Sequence, residues 1–534
     1  MDPNAGRTMT AEVRPGWRSV GVVAGLIFAW LAATAGLRPL MLPDEGRYVG
    51  VAWEMLRSGD WLTPTLNGLP YFHKPPLFYW ITAAAMSLFG THEWAARAAP
   101  LLGAWLGALA MFLFARRWSN PRTARLALAA LLAQPLFYVG GQFANLDMLV
   151  AGIISATILL FADAMLRSDA ALPFQRSLAA AWAMAALGVL AKGLIGIVIP
   201  ALVILALLLL RRGRGWRAFV GWPGPLLFAA LAAPWFVAME SRFAGFLDYF
   251  FVVQHFKRFA AGGFNNPQPF WFYPALLLVF TLPWLPSLWR LGRRGRELDP
   301  AGGALRQLMV AWVAVVVVFF SLPQSKLVGY VLPALPPLAF LVADGLANLG
   351  LPSARARRLW WGGIVGAALL SLGTVFGLTA HPRASSRELA AVLAAERSAG
   401  EPVFLLNRYD FDLPFYARLR TPVLVALDWP RTQSHSRDDW RKELADAGRF
   451  ASAAADATLL DRAALADAIC RHPVSWVVGA ADAGAGYPGY AFLALAPVAF
   501  TGRQTSLWRV DSTAPGIAGR LGCAAGIGGA LAAR

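Results

Sequence analysis

Between Pro43 and Pro76 the chain gathers acids, cations, a histidine and tyrosines in one short stretch beside long apolar segments. It opens Pro43-Asp44-Glu45-Gly46-Arg47-Tyr48 and closes Tyr71-Phe72-His73-Lys74-Pro75-Pro76. Ionisable groups at a membrane boundary are costly and tend to mark function. Asp44 has the chemistry of a general base, and also that of an N-cap for the stretch Glu45–Leu56. Arg47 and Lys74 have the chemistry of anion binding, the arginine with a bidentate fork. Their other use is snorkelling to lipid head groups. If Glu54–Leu56 and Trp61–Leu66 lie along the interface as short amphipathic helices, the two ends of the loop meet and Asp44 and Lys74 face one cavity.

The elements that position this loop follow from composition. Of 534 residues, 57% are hydrophobic and only 15% charged, which describes a polytopic membrane protein rather than a soluble enzyme on one anchor. The net charge of +18 does not point to nucleic acid, because the basic residues sit in short loops between apolar segments and no recognition motif accompanies them. Hydrophobic windows place about eleven spanning helices near 17–37, 95–115, 124–143, 146–165, 178–191, 194–210, 222–239, 271–289, 308–322, 328–347 and 359–379. Leu77–Phe89 is apolar but short and reads as interfacial or re-entrant; if it and a further split segment span, the count is about thirteen. The first segment, preceded by Arg14 and Arg18, resembles a signal peptide but is long enough to span and reads as a retained helix.

Loop charges give the orientation. Arginine clusters such as Arg116, Arg117, Arg122 and Arg125, or Arg211, Arg212, Arg214 and Arg217, all fall on one side, which the positive-inside rule makes cytoplasmic together with the N-terminus. The opposite loops mix residue types: Asp44, Lys74, Asp147, Lys192, His255, Arg258 and Lys326. Mixed polar groups on one face imply a site there. Residues 1–380 thus form the membrane domain, with interfacial helices in the first outer loop at about 38–94.

After His381-Pro382 helix-like and strand-like stretches alternate, with strands at Pro402–Leu406, Pro422–Leu427 and Ser475–Val478. Helices fall at Ser386–Ala399, Asp410–Leu419 and Asp461–Arg471. That pattern describes a small α/β domain over 381–512, outside the membrane if the helix count is odd. The Gly/Ala-rich residues 513–534 read as a disordered tail. Cys470 and Cys523 allow one disulfide and no metal cluster.

Seven motifs then stand in an order that resembles the bacterial lipid A aminoarabinose transferases, within the polyprenyl-phosphate-dependent superfamily that includes protein O-mannosyltransferases. They are Asp44-Glu45-x-Arg47-Tyr48, Met55-Leu56-x-Ser58-Gly59-Asp60-Trp61, Tyr71-Phe72-His73-Lys74-Pro75-Pro76, Asn145-Leu146-Asp147, Leu190-Ala191-Lys192-Gly193, Gln254-His255-Phe256-Lys257-Arg258-Phe259 and Ser325-Lys326-Leu327-x-x-Tyr330-x-Leu332-Pro333. The resemblance covers roughly residues 20–350. It implies the glycosyltransferase type C fold and a sugar donor carried on undecaprenyl phosphate. It makes Asp44 the catalytic carboxylate, places Arg47, Lys74 and Arg258 at the donor phosphate, and puts Lys326 and Tyr330 on a loop that closes over lipid. Glu45, Tyr48, Tyr71, Asp147 and Lys192 would complete the substrate site. Two departures leave the sugar open: the family usually carries Glu where His73 stands, and a Pro inside Lys-Leu-x-x-Tyr where this chain has Val328 or Gly329.

Transfer from a polyprenyl phosphate breaks the anomeric C–O bond and leaves charge on phosphate, which fixed cations stabilise. A phosphate acceptor is already ionised near neutral pH, so Asp44 would orient groups; a hydroxyl acceptor would need it as base. Lipid A, another envelope glycan and a protein hydroxyl all remain open as acceptors. No cofactor is required, although His73 and His255 with a carboxylate have the ligand types for zinc; each can equally make a simple hydrogen bond. The rival reading, a transporter or flippase of a lipid-linked substrate, calls for repeats and a midplane site; here no repeat is evident and the polar groups gather at one face.

Overall fold

Residues 17–257, 266–294, 300–349, 353–382, 384–429, 439–486 and 488–523 are described by a computed structural model. Inside lipid every backbone N–H and C=O needs a partner within the protein, so long apolar runs become helices. Among the described residues seven are long and apolar enough to cross a membrane: Ala98–Trp118, Leu146–Asp169, Pro223–Arg242, Phe272–Arg293, Gly303–Ser321, Val328–Asn348 and Ala354–Ala380. The expected span at 124–143 is broken. Pro121–Ala133 and Pro135–Gly141 meet at 67°, because Pro135 has no N–H to continue the first helix. Trp17–Ala32, Leu77–Phe89, Gln175–Lys192 and Ile195–Leu210 are shorter or less apolar helices packed in the same bundle. The first ends at Ala32 rather than near residue 37.

In the first outer loop, Asp44–Ser58 is one continuous helix. Gly59 stops it in the left-handed region, at φ +73°, where a residue without Cβ costs little. Trp61–Leu66, expected to be a short helix, is instead a turn leading into β1 (Thr65–Leu66), which pairs with β2 (Leu69–Pro70) as a hairpin. The carboxylate of Glu54 settles this: it accepts from Thr65 Oγ1 (2.8 Å) and from the amides of Asn67 (2.6 Å) and Gly68 (2.9 Å). Bonds from a charged acceptor to turn amides outweigh the weak helical periodicity of a six-residue stretch.

The C-terminal domain carries a six-stranded sheet. Its strands are β3 (Val403–Leu406), β4 (Leu424–Ala426), β5 (Leu459–Leu460), β6 (Val474–Ala480), β7 (Val498–Thr501) and β8 (Thr505–Asp511), in the order β5-β4-β3-β6-β8-β7. The first four run parallel, and β8 and β7 close the sheet antiparallel. Phe404, Leu405, Trp476, Val477 and Val478 are wholly buried, as a sheet covered on both faces requires. The stretch after Ser512 is not all tail. It forms a helix at Pro515–Leu521, and Cys523 is disulfide-bonded to Cys470.

This domain sits directly on the first outer loop. Asn67 and Val423 exchange two hydrogen bonds of 2.9 Å, Leu40 N donates to the Tyr416 hydroxyl (2.7 Å), and Trp53 Nε1 to the Leu419 carbonyl (3.3 Å). On the Asp44 helix, Gly46 and Gly50 face the domain's backbone. A Cβ at Gly46 would lie 2.8 Å from Asp412 N, and one at Gly50 3.0 Å from Phe411 O.

Candidate active site

Successive residues on a helix point about 100° apart, so Asp44 and Glu45 cannot face the same space. Glu45 turns inward and is fully buried. It is ion-paired with Arg38 and with Arg97 Nε (2.9 Å), and it accepts from the amides of Met41 (3.0 Å) and Ala144 (2.8 Å). Burial alone would push its carboxyl up; Arg97 and Arg38 outweigh that and hold it at about 2. Arg97 also donates to the carbonyls of Ala35, Arg38 and Pro39. Glu45, expected in the substrate site, is thus buried among Arg38, Arg97 and backbone amides, away from the space that Asp44 faces, and it fixes where the Asp44 helix begins.

Asp44 turns outward, with 48% of its side chain exposed, and Arg47 Nη1 lies 3.6 Å from its Oδ1. Partial desolvation raises its carboxyl above the ordinary value; Arg47 opposes this, and nearby Asp147 and Glu45 add to it. Arg47 has a second carboxylate. Its Nε lies 3.1 Å from Glu443 Oε2, and its guanidinium sits 4.9 Å over the Phe411 ring. The buried Tyr71 hydroxyl is 3.5 Å from the same Glu443 oxygen, and burial, with Glu443 beside it, keeps that phenol protonated. Glu443 lies on the helix Trp440–Gly448 of the C-terminal domain. The cation expected to be available for phosphate is thus already paired across the domain seam.

Asp147 starts the helix Leu146–Asp169, capped by Asn145 (Asp147 N to Oδ1, 3.0 Å). It is ion-paired with Lys192, the last residue of Gln175–Lys192, and Lys192 Nζ lies 4.6 Å from the Tyr330 ring centroid. A Cβ at Gly329 would come within 2.1 Å of Asp147 Oδ2. The residue before Tyr330 has to be this small because the 3-10 turn Val328–Ala334 lies against that carboxylate. Tyr48, one turn along the helix from Asp44, meets Phe78 edge-on at 5.8 Å.

Lys326, expected on a loop that closes over lipid, is buried. It is 4% exposed, and its ammonium donates to the carbonyls of Gln268 (2.8 Å) and Pro323 (2.6 Å). The same two strands of chain are joined by Gln268 N to Gln324 O and Lys326 N to Asn266 O, each 3.1 Å. Lys326 therefore fastens one outer loop to another, which spacing alone does not reveal. Lys74 is half-buried beside His73. His73 is buried, stacked on Tyr71 at 4.7 Å, with the Tyr249 ring at 6.1 Å. Among the described residues no three His, Cys, Asp or Glu side chains gather as metal ligands. The ring of His255 and all of Arg258 lie outside the described residues.

From these elements Asp44, Arg47, Tyr71, Asp147, Lys192, Tyr330 and Glu443 meet at the face where the first outer loop, the starts and ends of two spans, and the C-terminal domain converge. Glu443 and Phe411 were not anticipated. The only hint of Glu443 in the sequence is an acid on a short amphipathic stretch.

Residues 73–237 match the family described as dolichyl-phosphate-mannose-protein mannosyltransferase. The chain is 34% identical over 352 residues to the undecaprenyl phosphate-alpha-4-amino-4-deoxy-L-arabinose arabinosyl transferase of Pectobacterium atrosepticum, spanning 63% of this chain and 62% of that one. To the protein of the same name from Edwardsiella ictaluri it is 32% identical over 396 residues, 71% and 69% of the two chains. The crystal structure of ArnT from Cupriavidus metallidurans bound to undecaprenyl phosphate superposes with a TM-score of 0.73 at 25% identity, covering 93% of this chain and 98% of that one. The shared architecture is the glycosyltransferase type C fold, with a helical membrane domain and a C-terminal sheet.

Proposed function

The chain belongs to the undecaprenyl phosphate-alpha-4-amino-4-deoxy-L-arabinose arabinosyl transferase family, and on that premise we infer that it is a membrane glycosyltransferase moving an amino sugar from undecaprenyl phosphate to an envelope phosphate, lipid A foremost. It would act at the periplasmic face of the bacterial inner membrane. The arginine-rich loops opposite the site support that orientation, and the multi-pass architecture supports the membrane assignment.

One observation carries the reading. Asp44 stands half-exposed among cations and tyrosines drawn from separate elements, at a membrane boundary where such groups are otherwise costly. In the reaction an acceptor phosphate oxygen forms the new bond to the anomeric carbon as the bond to the donor phosphate oxygen breaks. Undecaprenyl phosphate leaves with the electron pair. Lys74 and Arg47 would meet the charge that develops on it. Asp44 would orient the sugar rather than remove a proton, because the acceptor is already an anion. Asp147, held by Lys192, would keep the opposite wall of the site polar without adding net charge.

The test is transfer by the purified full chain from undecaprenyl phosphate–aminoarabinose to lipid A, read by mass spectrometry. Lipid A from cells with and without the protein is compared in parallel. Addition to lipid A is expected in both settings. Addition to a protein or glycan hydroxyl with lipid A untouched would overturn the acceptor.

A further inference from the structure

At the other end of the bundle lies a cleft that the transfer reaction does not use. The helix Ala98–Trp118 starts next to the Glu45–Arg97 hub and runs 21 residues. At 1.5 Å per residue its far end is about 30 Å away, one bilayer core across. There Trp17–Ala32, Ala98–Trp118 and Pro121–Ala133 leave a cleft of about 470 Å³ between them. Its walls are apolar, with Val23, Phe112, Leu128 and Leu132, and its charged members are Arg116 and Arg125. Among the described residues no acidic side chain lines it.

The two arginines share one level. Arg116 is in the last turn of its helix and Arg125 one turn into the next, with Asn120 capping the corner between them. Leu132 is seven residues beyond Arg125, about 10 Å deeper along the helix. Arg125 spends its Nε on the Pro121 carbonyl (3.2 Å), and neither terminal nitrogen of that guanidinium has a partner among the described residues. Neighbouring Arg117 differs: it is paired with Asp163 on another face. Cations at head-group depth above an apolar furrow match a lipid that carries negative charge above acyl chains.

We propose that this cleft is a binding site for an anionic glycerophospholipid, with the head-group phosphate between Arg116 and Arg125 and one acyl chain along Val23, Phe112, Leu128 and Leu132. The site is separate from the donor site by the thickness of the membrane. It would tie the first helix to the bent pair, whose only described side-chain bond to it at this depth is Trp30 Nε1 to the Leu132 carbonyl (3.0 Å).

The experiment uses the full chain, purified and delipidated in detergent, titrated with phosphatidylglycerol or phosphatidylcholine of the same acyl chains and read by native mass spectrometry. The wild type is expected to bind one phosphatidylglycerol in clear preference to phosphatidylcholine. R116Q/R125Q is expected to lose about 30-fold in that affinity, while R116K/R125K keeps most of it. A129F keeps both cations, fills the furrow, and is expected to lose binding as well. Wild-type affinity in R116Q/R125Q, or equal binding of the two lipids by the wild type, would overturn the proposal. So would tight binding of glycerol phosphate alone, which would make the furrow irrelevant.

Discussion

Arg47 Nε lies 3.1 Å from Glu443 Oε2, joining residues almost four hundred positions apart across the seam between the membrane domain and the C-terminal domain. The two side chains are 17% and 6% exposed, so this is a largely desolvated pair. Losing one partner from such a pair costs far more than losing a surface bridge.

Glu443→Gln is accordingly expected to destabilise the protein by on the order of 3 kcal/mol and to lower transfer at least tenfold. The double variant with Arg47→Gln should cost less than the sum of the singles. Thermal unfolding and initial rates on the same preparations check this. Strict additivity would mean that the pair is a bystander.

Asp44→Asn removes charge without volume at a half-exposed position. Transfer should fall by about 10² or more, with insertion and melting temperature unchanged. Rates like those of the parent would remove Asp44 from catalysis.

Lys74→Ala should raise the KM for the lipid-phosphate donor more than that for lipid A, since its charge is assigned to the donor phosphate. Steady-state kinetics with each substrate varied in turn will show it. Equal losses on both sides would place Lys74 elsewhere.

Asp412 supplies a pH dependence. It is fully buried at the seam, and its Oδ2 accepts from Ser385 Oγ (2.8 Å) and Ser386 N (2.9 Å). Burial first, with Asp410 adding, pushes its carboxyl up to about 7. The folded value therefore lies above the unfolded value near 3.9. The stability this group confers is complete below about pH 4 and is lost as pH rises through about 7. Thermal unfolding should show the parent losing roughly 2–3 kcal/mol between about pH 5 and 8, with Asp412→Asn markedly flatter. Identical slopes would exclude Asp412 as the titrating group.

The loop 321–333 is expected to gain protection from hydrogen exchange when undecaprenyl phosphate binds, because a lipid must enter sideways and water must then be kept out. Lys326→Ala, which removes the ammonium's bonds to the Gln268 and Pro323 carbonyls and leaves the two backbone bonds in place, should raise exchange in the ligand-free protein. Equal protection of residues 321–333 with and without the lipid would make it a static turn.

Much of this architecture was legible because it depends on local pattern. The spans follow from apolar length, and β3, β4 and β6 from short buried runs such as Val403–Leu406 and Val474–Ala480. What escaped depends on direction and on distance along the chain. Asp44 and Glu45 are adjacent and alike in chemistry, yet the helix sends one to solvent and the other to two arginines. Lys326 lies in a motif that names a cation but not its carbonyl partners. Glu443 belongs to a nine-residue helix with no motif, and only the docking of a whole domain brings it to Arg47. Short β5 and β7 gain their strand character from neighbours, which no single window contains.

Gly46 and Gly50 give the seam one more implication. Where the two parts of the chain meet, backbone lies against backbone, and even a methyl group at Gly46 would strike Asp412 N. Such a joint has no interchangeable surface. A C-terminal domain grafted from a relative would have to bring its own version of residues 38–70, and a chimera joined only at residue 381 should misassemble. The unit of inheritance for this chain is therefore the loop and the domain together, although more than three hundred residues separate them in the sequence.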